Sequence, residues 1–519
     1  MTPNSTAITI FVALFAFVTI IGFFAARWRR GDLNQLQEWG LGGRRFGTMV
    51  TWFLLGGDLY TAYTFIAVPA VLFGAGATGY FAVPYTILVY PLLFAVYPRL
   101  WSVAKAKGYV TAADFVRGRF GNGTLALAIA LTGIVATMPY IALQLVGMEV
   151  VIAGLGINMD FAMPGIGVVH DFPLLVAFVV LALYTYSSGL RAPALIAVVK
   201  DFLLYVTVIA AVIIIPTELG GFGRIFAAAN PKTLLLAPAT ATSLGPQAAY
   251  ATLALGSTFA LFLYPHAVTG LLSSASRHVV RRNAVVLPAY SLALGLIALL
   301  GTMAVAAGVK AMPQYAAGFK AFGNNFAVPA LFLHMFPSWF VGVAFAAIAI
   351  GALVPAAIMS IACANLFTRN IYREYLDPNC PPSREAHVAK LVSLIVKLGA
   401  LFFVIGLPTS YAISLQLLGG IIIIQTLPSV IFGLYTNRLN PWALLAGWIA
   451  GTGSGAWMAS ELAFKTQIYP LQIFGYTIPC YAAVSSLLLN IAVSAALSWV
   501  FNAVLRTPPS DATAEADYA

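Results

Sequence analysis

Charge is what this chain has least of. Asp, Glu, Lys and Arg make up 8% of its 519 residues, where a soluble globular protein carries about 25%. With 61% of residues hydrophobic, this excludes a set of soluble domains and points to one large membrane domain. Cysteine is nearly absent as well. Cys363, Cys380 and Cys480 are too few and too scattered for a disulfide framework or a metal cluster. The N-terminus lacks a basic n-region and a cleavage site, so residues 6–28 read as a retained first span. No phosphate-binding loop, nucleotide-hydrolysis motif, metal-ligand spacing or nucleophile–base pair is present. That argues against an enzyme, and against transport powered by ATP hydrolysis within the chain. The expectation is a protein without a bound cofactor.

What is present is a series of about thirteen apolar runs, each of the roughly 20 residues that cross a bilayer. The net charge of +11 could suggest nucleic acid, but the basic residues flank the runs, which is topogenic placement. With the N-terminus outside, 22 of the 27 Lys and Arg fall at inner positions, leaving Arg224, Lys232, Lys310, Lys320 and Lys465 outside. Lys200, Arg191, Lys390 and Lys397 are counted among the inner ones. The reading is an all-α polytopic membrane protein with about 13 transmembrane helices, N-terminus outside and C-terminus inside. Its partners are the lipid bilayer and a small molecule, not nucleic acid. The tail after Arg506 is small and polar, and is expected to be disordered.

Two of the runs are interrupted. The second, near residues 48–74, contains Trp52-Phe53-Leu54-Leu55-Gly56-Gly57-Asp58-Leu59-Tyr60-Thr61-Ala62-Tyr63. A carboxylate deep in a span is costly and marks a functional-site candidate. The adjacent glycines weaken the helix there. The seventh run, near 249–274, is broken by Pro265, which removes a backbone donor in mid-span, and His266 follows directly. The runs lie five spans apart. Five is odd, so the second set of five enters the membrane from the other side. Paired broken helices in inverted repeats point to a secondary-transporter site near the midplane. Opened backbone at Gly56, Gly57 and Leu59, aided by Tyr60, Thr61, Tyr264 and His266, is the candidate binding surface for the solute.

Few other ionisable residues lie in the runs. Glu149 follows a polar line of Thr137, Tyr140 and Gln144 but falls on another helix face than Tyr140. Lys200 and Asp201 are adjacent, and adjacent residues do not face each other on a helix, so one of them needs a further partner. The ninth run, 338–368, is rich in small residues that permit close packing, and Pro355 loosens it.

Four stretches resemble the sodium:solute symporters, a family with a LeuT-type five-plus-five inverted repeat: Glu38-Trp39-Gly40-Leu41-Gly42-Gly43-Arg44-Arg45-Phe46-Gly47, Tyr109 to Gly121, the Pro265-His266 break, and Phe367-Thr368-Arg369-Asn370-Ile371-Tyr372-Arg373-Glu374-Tyr375. The run from Leu54 to Phe65 looks most like that of bacterial monocarboxylate permeases, which take up pyruvate, lactate and related short acids. The resemblance implies a core at 46–435, an additional N-terminal helix within 1–30, additional C-terminal helices at 436–506 and a tail at 507–519. It implies a multi-pass protein of the bacterial cytoplasmic membrane. It also places Asp58 near the family's sodium site, Asp201 near the inner exit of that site, Gln144 and Glu149 at polar positions of the third core helix, and Gln416 and Gln425 on the gating tenth core helix.

One departure bears on coupling. Sodium-dependent members place two adjacent hydroxyl residues on the ninth span as ligands. Val354 and Pro355 stand there instead, and neither side chain offers an oxygen to a hard cation. Lys200, meanwhile, lies beside Asp201, and some proton-coupled proteins of the same fold place a lysine amine where sodium would sit. Secondary uptake of small monocarboxylates, alanine included among the candidates, is therefore expected with H+ slightly favoured over Na+ as the coupling cation. The ion-coupling candidates are Asp58, Lys200, Asp201 and Glu149; the substrate candidates add Gln144 and Gln416 to the break residues. The alternative is a sodium-coupled symporter of another small organic solute, such as acetate, pantothenate, an amino acid or a sugar.

Overall fold

A computed structural model describes residues 3–28, 31–157, 160–163, 167–169, 171–405, 412–504 and 510–519. Arg29, Arg30, Arg506 and residues 507–509 lie outside the described residues. The described chain is almost wholly helical. In order, the helices that frame the molecule are α1 (Ser5–Phe24), α2 (Leu36–Leu41), α3 (Thr48–Gly57), α4 (Val68–Ala75), α5 (Ala82–Lys107), α6 (Ala112–Phe120), α7 (Gly123–Gly154), α8 (Phe172–Ser188), α9 (Arg191–Glu218), α10 (Gly245–Leu261), α11 (Pro265–Leu272), α12 (Pro288–Ala306), α13 (Ser338–Phe367), α14 (Pro382–Ile405), α15 (Ala412–Ile423), α16 (Pro441–Glu461) and α17 (Ala482–Val504). Two short antiparallel hairpins interrupt them: β1 (Phe161–Met163) with β2 (Gly167–Val169), and β3 (Ile468–Ile473) with β4 (Tyr476–Tyr481).

Local chemistry sets the ends of these helices. The Asn4 and Asn122 side chains accept the amides of Ala7 and Leu125. Thr111 and Asp114 form a reciprocal capping box at the start of α6. Caps of this kind contribute about 1 kcal/mol each. Gly108 and Gly121 end α5 and α6 in the left-handed conformation that glycine adopts without steric cost.

Eight helices among the described residues are long and apolar enough to cross a membrane, or nine if α10 and α11, bent by 46°, count as one span. Length and composition alone do not yield the thirteen crossings expected from the sequence, and the causes are local. The second run is divided, so that α3 has only ten residues, and its remainder continues into α5 as one helical stretch, Tyr63–Lys107. α8 is also short.

α7 and α13 form the centre of the bundle. α7 is 32 residues long, or about 48 Å at 1.5 Å per residue. The Asn4 amide bonds the Leu155 carbonyl at one end of it (3.2 Å), and the Ala512 amide bonds the Gly118 carbonyl beyond the other (2.8 Å). The N-terminal and C-terminal segments therefore sit on opposite faces.

Three expectations change. The tail was expected to be disordered, but residues 510–519 pack on the protein. Asp517 pairs with Lys107 (3.0 Å), Asp511 pairs with Arg119, and the Arg99 guanidinium lies 4.7 Å from the centre of the buried Tyr518 ring. The acidic tail meets a face rich in bases, which polarity alone does not reveal. Lys397, counted with the inner-face bases, is fully buried within α14, where its ammonium reaches, among the described residues, the carbonyl and hydroxyl of Ser393 (3.4 and 3.3 Å). Arg191 is not a free topogenic charge either: it is fully buried, donates to the Glu38 carbonyl (2.8 Å), and pairs with the Glu38 carboxylate. That pair fixes α2 to the start of α9.

Candidate solute and ion site

The first interrupted span opens just after Gly57. α3 ends there, residues 58–62 depart from regular helix, and a π-helical turn from Tyr63 to Ala67 leads into α4. The cause is visible in the packing. A Cβ on Gly56 would fall 2.0 Å from the Tyr290 ring, and one on Gly57 would fall 2.9 Å from Lys200 Nζ. Only glycine lets α3 approach α9 and α12 this closely.

Breaking a helix frees backbone groups that must find partners when buried. At this break, side chains supply them. The Ala62 amide donates to Gln144 Oε1 (3.1 Å) and the Tyr63 amide to Thr61 Oγ1 (3.0 Å). The Thr64 hydroxyl donates to the Leu59 carbonyl. Lys200 Nζ donates to the Gly57 carbonyl and to the Tyr60 carbonyl (3.1 Å). The same ammonium lies 3.4 Å from Asp201 Oδ1, and Asp201 Oδ2 accepts from the Tyr290 hydroxyl at 2.6 Å. Lys200 and Asp201 are both fully buried. Adjacent as they are, they do meet, because the long lysine stem bends back to its neighbour while its remaining donors take the broken helix.

Val354 and Pro355 are buried in α13, one turn on from Gly351, where a side chain would begin 3.7 Å from the Tyr60 carbonyl. Two carbonyl oxygens and a carboxylate could attract a hard cation. The lysine ammonium already engages all three, and Val354 and Pro355 add no side-chain oxygen.

The second interrupted span is built differently. α10 ends at Leu261, and Pro265 starts α11 after three residues. The first turn of α11 has no side-chain cap. His266 projects between the rings of Tyr140 and Tyr264, 5.4 and 5.2 Å away between ring centres. Its Nε2 lies 3.2 Å from Asp58 Oδ2, joining the two breaks, but the contact is not aligned as a hydrogen bond, and neither ring nitrogen has a hydrogen-bond partner among the described residues. The Tyr264 hydroxyl donates to the Gln416 carbonyl on α15 (3.1 Å). Asp58 Oδ1, Ser257 Oγ and Gln416 Oε1 are likewise buried and without a hydrogen-bond partner among the described residues. Such groups are rare in native interiors, and each calls for a reason. Those named cluster on the two interrupted spans and on α15.

The structure thus brings together Gly56, Gly57, Asp58, Leu59, Tyr60, Thr61, Gln144, Lys200, Asp201, Tyr264, His266 and Gln416. It does not bring Glu149 to them. That residue is half-buried, five positions along α7 from Gln144, and the charged group near it is Asp171. The extra turn carries it toward the C-terminal end of α7. Gln425 serves a scaffold, since it donates to the Ser486 hydroxyl (2.9 Å) and accepts from Asn490 (3.1 Å), both on α17.

Tyr290 escaped sequence reading. It is the only side chain other than Lys200 bonded to Asp201 among the described residues. A tyrosine near the start of an apolar run looks like an interfacial anchor; its place two residues after the proline that opens α12 was the available signal.

A sequence profile of the sodium:solute symporter family matches residues 39–451. The chain is 51% identical over 504 residues to a monocarboxylate transport permease protein of Rhizobium johnstonii, covering 97% of each chain. It is 33% identical over 464 residues to a Bacillus subtilis symporter named YodF, covering 87% of each. A solved structure of a Na+-coupled sialic acid symporter in a substrate-bound, outward-open state superimposes with a TM-score of 0.71, over 96% of this chain and 98% of that one. At 16% identity that likeness shows the fold alone.

Proposed function

The chain belongs to the sodium:solute symporter family, and from that premise we propose that it takes up small monocarboxylates such as pyruvate and lactate by cation-coupled symport, with the proton as the coupling ion. The 51% identical monocarboxylate permease supports the substrate class. The observation that carries the coupling is the Lys200 ammonium seated on the Gly57 and Tyr60 carbonyls beside Asp201.

The solute carboxylate is taken at the second break, by the first-turn amides of α11 and the side chains of Tyr264 and His266. A helix N-terminus with free amides favours an anion. No arginine is needed there. Protonated Lys200 ties α3 to α9. Loss of that proton removes the positive charge facing two carbonyls and Asp201, and so weakens the tie. The coupling ion then acts as any such ion must, by changing the relative populations of outward- and inward-open states. We take the membrane to be the bacterial cytoplasmic membrane, crossed about thirteen times, with the face that carries the C-terminal tail inside; residues 46–435 form the transport core between the added N- and C-terminal helices.

Uptake of labelled pyruvate into proteoliposomes, under a pH gradient or a sodium gradient applied singly, tests this. Accumulation driven by the pH gradient alone is expected. Accumulation driven by sodium alone would reject proton coupling, and none under either gradient would reject the substrate class. The sodium-coupled reading keeps one specific support: the carbonyls at the first break are the kind of oxygens that hold sodium in a broken helix.

A further inference from the structure

The residues matched by the family profile end at 451, yet a side chain beyond them reaches α15, the helix whose Gln416 carbonyl also accepts from Tyr264. Tyr481 is the last residue of β4 and is fully buried. Its hydroxyl donates to the Leu417 carbonyl on α15 at 2.6 Å, and its amide donates to Thr252 Oγ1 on α10 at 3.0 Å. The hairpin behind it is fastened to the loop before α10: the Leu244 amide donates to the Thr477 carbonyl (3.2 Å) and the Thr477 amide to the Thr242 carbonyl (2.8 Å). Tyr481 therefore joins α15 to the first half of the second interrupted span.

Consecutive carbonyls of α15 are held in the same way. The Tyr264 hydroxyl takes that of Gln416, and the Tyr481 hydroxyl takes that of Leu417. A carbonyl oxygen has two lone pairs, so it can accept such a bond in addition to its helical one. Consecutive glycines make the room. A Cβ on Gly419 would fall 2.6 Å from the Tyr264 hydroxyl, and one on Gly420 would fall 2.2 Å from that of Tyr481. On α10, a Cβ on Gly256 would meet the Tyr481 ring at 2.6 Å. One of these tyrosines belongs to the site; the other comes from outside the matched region.

We infer that Tyr481 is a positioning residue of the gate: its hydroxyl holds α15 closed against α10 on the face opposite the C-terminal tail, and the β3–β4 hairpin carries it there. The segment after α15 reaches the tail face at Gly433, whose carbonyl accepts from Arg119 Nε at 2.9 Å, so Leu417, sixteen residues earlier, lies toward the other face. The inference concerns the gate and does not depend on which solute is carried.

The test reads gate opening without substrate. Cys363, Cys380 and Cys480 are replaced, and Ser257, which is buried on α10 next to Gly256, is changed to cysteine as reporter. Its rate of reaction with a membrane-impermeant maleimide is followed in intact cells. Y481F keeps the ring and removes only the hydroxyl. It is expected to label about five-fold faster than its parent, the population shift that follows loss of one buried hydrogen bond. G420A, which displaces the same hydroxyl, is expected to label faster as well. The double variant should match Y481F, because the clash disappears with the hydroxyl. If Y481F does not reach the membrane folded, G420A alone decides. Labelling at the parent rate in the folded variant would overturn the assignment, whether or not pyruvate is transported.

Discussion

The two interrupted spans answer one problem in opposite ways. At the first, between α3 and α4, the chain stays irregular for five residues, and the protein itself fills the opening: Gln144, Thr61 and Thr64 take its backbone groups, and Lys200 takes two carbonyls. At the second, between α10 and α11, the opening is three residues, the following helix starts uncapped on a proline, and His266 and Asp58 face each other with hydrogen-bonding capacity left over. The backbone of the first break is internally satisfied, whereas Asp58 Oδ1 there and both ring nitrogens of His266 at the second lack a hydrogen-bond partner among the described residues. The difference separates two jobs. On the function proposed, the first break is the joint whose internal cation is Lys200, and the second is the surface left for the solute.

That contrast can be broken by substitution, beginning with the largest effect. K200M should cost about 3–5 kcal/mol of stability, because it strands a buried carboxylate and two carbonyls, and it should abolish uptake. A fall in the melting temperature of the purified protein measures the first effect, and K200M/D201N should recover part of it. Y290F removes the hydroxyl held by Asp201 and should cost about 1.5–3 kcal/mol, as for a hydrogen bond to a charged group. G56A drives a methyl into the Tyr290 ring and should cost about 1–3 kcal/mol through overpacking; thermal unfolding beside the parent decides both. H266Q sharpens the comparison from the other side. Neither ring nitrogen of His266 has a hydrogen bond to lose, so stability should change by less than about 1 kcal/mol. Uptake should fall by roughly tenfold or more, in line with couplings of 1–3 kcal/mol between solute and conformation. If H266Q melted as early as K200M, the two breaks would not differ in kind.

Both breaks were legible before any coordinates, because each is a local anomaly: a diglycine with a carboxylate, and a proline with a histidine, in otherwise apolar runs. The five-span spacing and the resemblance supplied the frame. What joins the breaks was not legible. Lys200 reaches carbonyls about 140 residues earlier in the chain, and Asp201 and Gly56 both depend on Tyr290; such contacts follow from packing rather than periodicity. Glu149 failed for a related reason, since one turn along a long helix moves a side chain some 5 Å toward the helix end. The tail reads as disordered by composition, yet Asp511 and Asp517 find Arg119 and Lys107. Tyr481 was invisible because an isolated tyrosine before an apolar run carries no mark of the helix it will touch.

On the function proposed, the Lys200 ammonium holds the place at the first break that a metal cation would take. The thermal stability of the purified protein, titrated with sodium chloride at constant ionic strength against choline chloride, tests it without transport. A ligand that binds the folded state at a hundred times its Kd stabilises by about 2.7 kcal/mol. The account predicts no sodium-specific shift in melting temperature. A saturable stabilisation by sodium that choline does not reproduce would contradict it.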